Sequence, residues 1–148
     1  MRAFFLGLML ALSGCGPAPN STTVAFEVRD GWAPPTPGGV DVSAGYVTIV
    51  NNTDNPEQIL DASSPRAERV ELHEMSMDGA VMRMRKVESL VIPAHGSLSL
   101  APSGTHLMFF GVSQPFVQGE QIPITLRFAH AGEVNTLLTV ERGGQHTH

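Results

Sequence analysis

The sequence predicts an all-β domain, a sandwich or barrel of eight or nine short strands. Two observations lead to this prediction. Short runs of β-favouring residues follow one another along the chain, separated by clusters of Gly, Pro, Asn, Asp and Ser. In addition, no segment has the periodicity of a strong amphipathic helix. The chain shows no internal repeat and no boundary of a second domain, so we expect a single domain.

Each predicted strand is bounded by residues that favour turns. The first strand ends at Asp30-Gly31, and the second ends at the polar segment 51–56. Asp78-Gly79 lies between two later runs and predicts a β-hairpin there. The nine predicted strands are 24–29, 46–50, 70–75, 81–85, 90–92, 97–100, 106–110, 122–128 and 136–141.

The N-terminus has the features of a secretory signal, since Arg2 precedes an apolar run too short to anchor in a bilayer. The run ends in Leu12-Ser13-Gly14-Cys15, which resembles the lipobox of bacterial lipoproteins. We therefore expect a signal peptide over 1–14, lipidation of Cys15, a flexible tether over 15–23, a domain over 24–142 and a flexible tail over 143–148. An ordinary cleaved signal with an unmodified cysteine is the alternative. Either interpretation predicts export, to the periplasm or to the outer face of a membrane.

Charge and cysteine content exclude several classes of function. The net charge is -5 with only nine Lys and Arg, which is unfavourable for nucleic-acid binding. Cys15 is the only cysteine, so no disulfide can form within the domain and no C-x-x-C motif is available for thiol chemistry.

Two histidines and two methionines form a spaced set. His73 is followed after ten residues by Met84, and twenty-one residues later come His106 and Met108. Imidazoles and thioethers are soft, uncharged donors that suit Cu(I) better than zinc, calcium or magnesium. Methionine usually fills cores, but that role predicts scattered positions, whereas every methionine after the leader lies between Met75 and Met108.

Strand parity indicates how these donors could converge, because residues i and i+2 of a strand share a face. His106 and Met108 should point the same way, with Leu107 on the opposite face. Met84 should share a face of its strand with Met82. Met75, Met77 and Met82 are expected as neighbours of the site rather than ligands, and His95 and His130 as turn residues.

The four residues, with their surroundings, resemble the periplasmic PCuAC copper chaperone family, which is associated with assembly of the CuA centre of cytochrome c oxidase. The segments that match are Glu71-Leu72-His73-Glu74, Met82-Arg83-Met84, Ile92-Pro93-Ala94, Gly104-Thr105-His106-Leu107-Met108, Trp32 and 46–51. The similarity extends over residues 24–140, nearly all of the predicted domain.

The resemblance implies a cupredoxin-like Greek-key β-barrel that binds Cu(I) through His73, Met84, His106 and Met108. It also implies delivery to a copper acceptor, a CuA-containing oxidase subunit or another chaperone. We expect a monomer that is attached to a membrane through its lipid. Nucleic acid is not an expected partner. The tail adds His146 and His148, for which a secondary Cu(II) site and a disordered polar segment are equally compatible interpretations.

Three other functions compete with copper transport. An electron-transfer cupredoxin would need a Cys thiolate beside two histidines, and the domain has no cysteine. An enzyme is not expected, because no G-x-S-x-G elbow or paired carboxylate signature is present. A structural lipoprotein would bind no metal at all.

Overall fold

The computed structural model describes residues 24–143. The predicted signal peptide and tether, Cys15, His146 and His148 lie outside the described residues. None of the described residues belongs to a helix long and apolar enough to cross a membrane.

The described chain is all-β, as predicted, and contains ten strands. Most of them coincide with the short apolar runs of the sequence. Their bounds are β1 Phe26–Ala33, β2 Val42–Asn51, β3 Glu57–Ser63, β4 Arg69–Asp78, β5 Val81–Lys86, β6 Leu90–Ile92, β7 Ser97–Ser99, β8 His106–Phe110, β9 Gln121–Phe128 and β10 Gly132–Val140.

The strands form one sheet that closes into a barrel. The hydrogen-bonded order is β5-β4-β8-β2-β1-β10-β9-β3-β6, with β7 added to β2. Because β3 also pairs with β4 through Ala62 and Val70, the strands from β4 round to β3 make a closed ring. All pairings are antiparallel except that of β1 with β10. Closure leaves the β4–β5 hairpin as an extension beyond the ring.

The core lies inside this ring and follows the period of two. In β8, Leu107 and Phe109 are fully buried, and in β9 Ile122, Ile124 and Leu126 face inward. Burial of each such side chain stabilises the fold by about 1.5–3 kcal/mol. Leu72 of β4 and Leu107 of β8 point into the barrel. Because side chains alternate along a strand, their neighbours His73 and His106 point to the other face of the sheet.

Several strands differ from the sequence prediction. β2 and β10 begin at Val42 and Gly132, each four residues before the predicted run, and β4 continues to Asp78. β1 does not end at Asp30-Gly31 but continues to Ala33 through an irregularity in its pairing with β2, where Asp30 adopts a φ of 56°. Aspartate tolerates this left-handed conformation better than most residues, and the chain passes through it as a bulge. β3 was not predicted, because its first inward residue is the charged Glu57 and a second bulge interrupts its alternation.

Candidate metal centre

His73 lies where β4 meets a strand on each side. In the register of the sheet it is opposite His106 of β8 and opposite Lys86 of β5. Residues of β4 before His73 pair with β8, and residues after it pair with β5 alone. His73 therefore marks the end of the barrel wall and the start of the projecting hairpin.

The same register brings both predicted methionines next to His73. Met108 lies opposite Glu71, and Met84 lies opposite Met75, so each is one diagonal step from His73. Diagonal neighbours on one face of an antiparallel pair are about 7–8 Å apart, within reach of long side chains. The four predicted ligands thus lie on one outward face of three adjacent strands, at the end of the barrel where β8 begins.

The hydrogen bonds of His73 leave one ring nitrogen for another partner. Its Nε2 lies 2.9 Å from Oε2 of Glu71, and since a carboxylate only accepts, Nε2 donates the hydrogen. In the neutral ring Nδ1 then holds the lone pair. Among the described residues Nδ1 of His73 is the one buried side-chain polar atom without a hydrogen-bond partner. A buried acceptor without a partner is costly unless a ligand supplies one.

Glu71 orients this ring and provides negative charge behind it. The hydrogen bond from His73 lowers the pKa of Glu71, with Arg69 and Lys86 adding to the effect against the opposing influence of burial. Lys86 Nζ lies 3.7 Å and Arg69 Nε 3.1 Å from Oε1 of Glu71. A carboxylate on the distal nitrogen of a histidine is the usual support for a metal-ligating imidazole.

His106 is held in the complementary way. Its Nδ1 donates to the backbone carbonyl of Gly104 at 3.0 Å, so that in the neutral ring the lone pair is on Nε2. The His106 residue is 3% exposed, and its ring centroid is 6.0 Å from that of His73. Each histidine therefore has one nitrogen fixed by the protein and one left as a potential donor to a soft cation.

Aromatic side chains lie against both histidines. Tyr46 has its ring centroid 6.4 Å from His106 and packs on Trp32 at 4.6 Å, and Phe110 lies 5.8 Å from His73. Burial raises the pKa of Tyr46, so this wall is uncharged at neutral pH. In contrast, Met84 is 51% exposed on the hairpin side. The arrangement gives a shielded histidine pair that is open to solvent at Met84.

The donors present favour a soft ion. Within residues 24–143 no group of three or more His, Cys, Asp and Glu side chains could hold a metal ion. The further side-chain donors that the register places beside His73 and His106 are the thioethers of Met84 and Met108, and such a mixed set suits Cu(I).

The other two histidines of the described chain lie in turns, as predicted. His95 has a φ of 53° and its Nε2 is 2.6 Å from Asp54. His130 lies between β9 and β10, with Nδ1 3.1 Å from the buried Glu57. No sequence pattern indicates these carboxylate partners, since each lies far along the chain from its histidine.

Known proteins share this architecture. A copper-bound PCuAC domain from PmoF2 superimposes with a TM-score of 0.68 at 23% identity, over 80% of this chain and 93% of that domain. Apo-DR1885 from Deinococcus radiodurans matches with a TM-score of 0.63 at 26% identity, over 96% and 97% of the two chains. CuI-DR1885 from Deinococcus radiodurans matches with a TM-score of 0.60 at 31% identity, over 76% of each. The fold is the cupredoxin-like fold of PCuAC domains, which confirms the predicted class.

Sequence comparison gives the family. The family model described as "Putative lipoprotein LpqE-like" matches residues 26–140, and the chain belongs to this PCuAC-type family. A curated relative, "Putative lipoprotein Lxx21020" of Leifsonia xyli subsp. xyli (strain CTCB07), is 29% identical over 130 residues, 82% of this chain and 77% of the relative. The "Uncharacterized protein RP573" of Rickettsia prowazekii (strain Madrid E) is 29% identical over 101 residues, 66% of this chain and 56% of that protein.

Proposed function

We propose that this protein is an extracytoplasmic copper chaperone that binds one Cu(I) through His73, Met84, His106 and Met108 and passes it to an acceptor. The proposal rests chiefly on the buried Nδ1 of His73, whose missing partner a Cu(I) ion would supply. The copper-bound PCuAC domain and CuI-DR1885 among the similar structures support it. The lipoprotein names of the family and of the Leifsonia relative support export and attachment through Cys15.

The proposed cargo is taken up and released by ligand exchange, without a change of oxidation state. Thioethers need no deprotonation before they bind, so only the imidazoles make binding sensitive to acid. An acceptor would approach from the exposed Met84 on β5, because Tyr46 and Trp32 lie across the site on β2 and β1. Met84 would leave first and His106, the most buried ligand, last. A thiolate acceptor such as a CuA site would draw Cu(I) forward, since it is the softer ligand set.

Loss of both thioethers tests the site. Met84→Leu/Met108→Leu keeps the volume of the side chains but removes sulfur. Loss of a group that only supports a metal ligand lowers affinity up to about 100-fold. Because these thioethers are ligands themselves, we expect Cu(I) affinity to fall at least about 100-fold. The measurement is an anaerobic titration against a colorimetric Cu(I) chelator.

His95→Ala is the matched control for a histidine ligand variant, His106→Asn, because His95 is an exposed turn residue. We expect the control to bind Cu(I) like the parent protein and His106→Asn to lose affinity. Unchanged affinity in Met84→Leu/Met108→Leu would refute the ligand assignment.

A Cu(II) site at His146 and His148 stays a prediction. It is tested by comparing Cu(II) binding of the full chain with that of a chain lacking residues 144–148.

A further inference from the structure

Beyond the pair formed by His73 and Lys86, one face of the β4–β5 hairpin is made of methionine. Met77 lies directly opposite Met82, and Met75 lies directly opposite Met84. By strand parity all four side chains point to the same side as His73. The other side of the hairpin is charged, with Arg85 2.8 Å from Glu74 and Arg83 3.3 Å from Asp78. The two faces of the hairpin are thus chemically separate.

Packing does not account for this face. Met77 is 64% and Met82 59% exposed, and every residue of β5 is exposed. β5 pairs only with β4, so the hairpin projects from the barrel without covering its core. A methionine that fills a core gap is buried, and a solvent-exposed strand ordinarily carries polar side chains on its outer faces. These positions share an exposed or partly exposed thioether side chain that the packing of the core does not require.

The geometry allows the thioethers to converge on one ion. Side chains directly opposite in an antiparallel pair have Cβ atoms about 4.5–5.5 Å apart, and methionine has three rotatable bonds with which to adjust. Thioethers select Cu(I) among the common metal ions. The hard donors of the hairpin, Glu74 and Asp78, are on the other face and paired with arginines. Calcium, magnesium and zinc therefore find no ligand set on the methionine face.

We propose that Met75, Met77 and Met82 form a second Cu(I) site, through which copper enters and leaves the centre at His73. This inference rests on the proposed function, since it gives that centre its route to solvent. Cu(I) would move from Met77 and Met82 to Met75 and then to Met84, which lies opposite Met75. Each step replaces one thioether by another at an ion of unchanged charge, so no proton or electron is transferred.

Counting bound Cu(I) tests the proposal. The protein is titrated anaerobically with Cu(I). Native mass spectrometry gives the number of bound ions, and X-ray absorption at the copper edge counts their sulfur and nitrogen neighbours. Met77→Leu/Met82→Leu removes the distal thioethers on an exposed hairpin and should leave the fold intact. Val81→Leu is the matched control, because Val81 is 56% exposed on the same hairpin and, lying opposite Asp78, points to the charged face.

The parent protein and Val81→Leu should bind two Cu(I), the second with a larger sulfur share, and Met77→Leu/Met82→Leu only one. His73→Asn/His106→Asn should keep one Cu(I) with sulfur neighbours alone. If that histidine variant instead binds like the parent while Met77→Leu/Met82→Leu loses one ion, the proposed function fails and the second site stands. The second site is overturned if the parent binds a single Cu(I), or if Met77→Leu/Met82→Leu still binds two. If Met77→Leu/Met82→Leu transferred Cu(I) to an acceptor more slowly but bound as many ions as the parent, the second site would also be overturned. The methionine face would then be an apolar docking surface.

Discussion

Glu71 determines which nitrogen of His73 is free. Its carboxylate accepts the Nε2 hydrogen at 2.9 Å and its pKa is lowered first by that same hydrogen bond. Glu71→Gln keeps the size and a hydrogen-bond acceptor but removes the negative charge behind the imidazole. We expect Cu(I) affinity to fall about 10-fold, the lower range for losing such a partner. Competition with a Cu(I) chelator measures this change.

Glu74→Gln is the control for this substitution, because Glu74 pairs with Arg85 on the charged face of the hairpin. It should leave Cu(I) affinity unchanged. If Glu71→Gln also had no effect, Glu71 would serve only to neutralise Arg69 and Lys86, and orientation of His73 would have another source.

Close packing of β2 against β8 positions the centre. Gly45 lies opposite Leu107, and a Cβ at Gly45 would be 2.7 Å from Cε2 of Phe109 and 2.8 Å from Cδ1 of Leu138. Gly45→Ala therefore forces two core side chains to move. We expect the free energy of unfolding to fall by about 1–3 kcal/mol, as for other overpacked cores, measured by urea denaturation.

Gly38→Ala is the matched control for Gly45→Ala, since nothing lies within 4 Å of a Cβ at Gly38. Its stability should stay close to that of the parent protein or rise slightly. Equal stability of Gly45→Ala and Gly38→Ala would mean that Phe109 and Leu138 can move aside without cost, contrary to the packing described.

Local sequence signals predicted elements well where the alternation was clean and failed where it was broken. β8 and the β4–β5 hairpin follow the expected pattern, because apolar residues alternate in one and Asp78-Gly79 begins the turn of the other. β3 was missed because its inward Glu57 is satisfied by partners in a distant turn. Charge alone cannot reveal a partner 73 residues away.

The sequence predicts the candidate residues of the site but not the register that brings them together. Parity places Met108 beside His106 within one strand, yet the pairing of His73 with His106 joins strands that are not consecutive. Such long-range register depends on how the whole barrel closes. By contrast, Glu71 and His73 are two residues apart in β4, so parity alone places them on one face and their hydrogen bond follows from the sequence pattern.

Closure of the barrel makes the stability of the whole molecule sensitive to acid. Burial favours a raised pKa of Glu57, but hydrogen bonds from the backbone of Gln58, Ala131 and His130 and from the His130 ring outweigh it and lower the pKa below its ordinary value of 4.5. The hydrogen bond from Arg66 likewise lowers the pKa of Glu120. A carboxyl with a lowered pKa in the folded state contributes stability that is present above its unfolded pKa. That contribution is lost as the pH falls through the folded pKa.

Glu57→Gln should therefore reduce the loss of stability on acidification. At neutral pH it should cost about 1–3 kcal/mol, because its amide group cannot accept all the donors of the β9–β10 turn. Urea denaturation from pH 7 downward measures both effects, with the exposed Glu133→Gln as control. The control should follow the parent protein at every pH.

A parallel acid dependence in Glu57→Gln and the parent would contradict the role of Glu57. The titration of other carboxylates would then govern acid unfolding. The expected result ties the start of β3 to the β9–β10 turn, and through β3 to β4, the strand that carries His73.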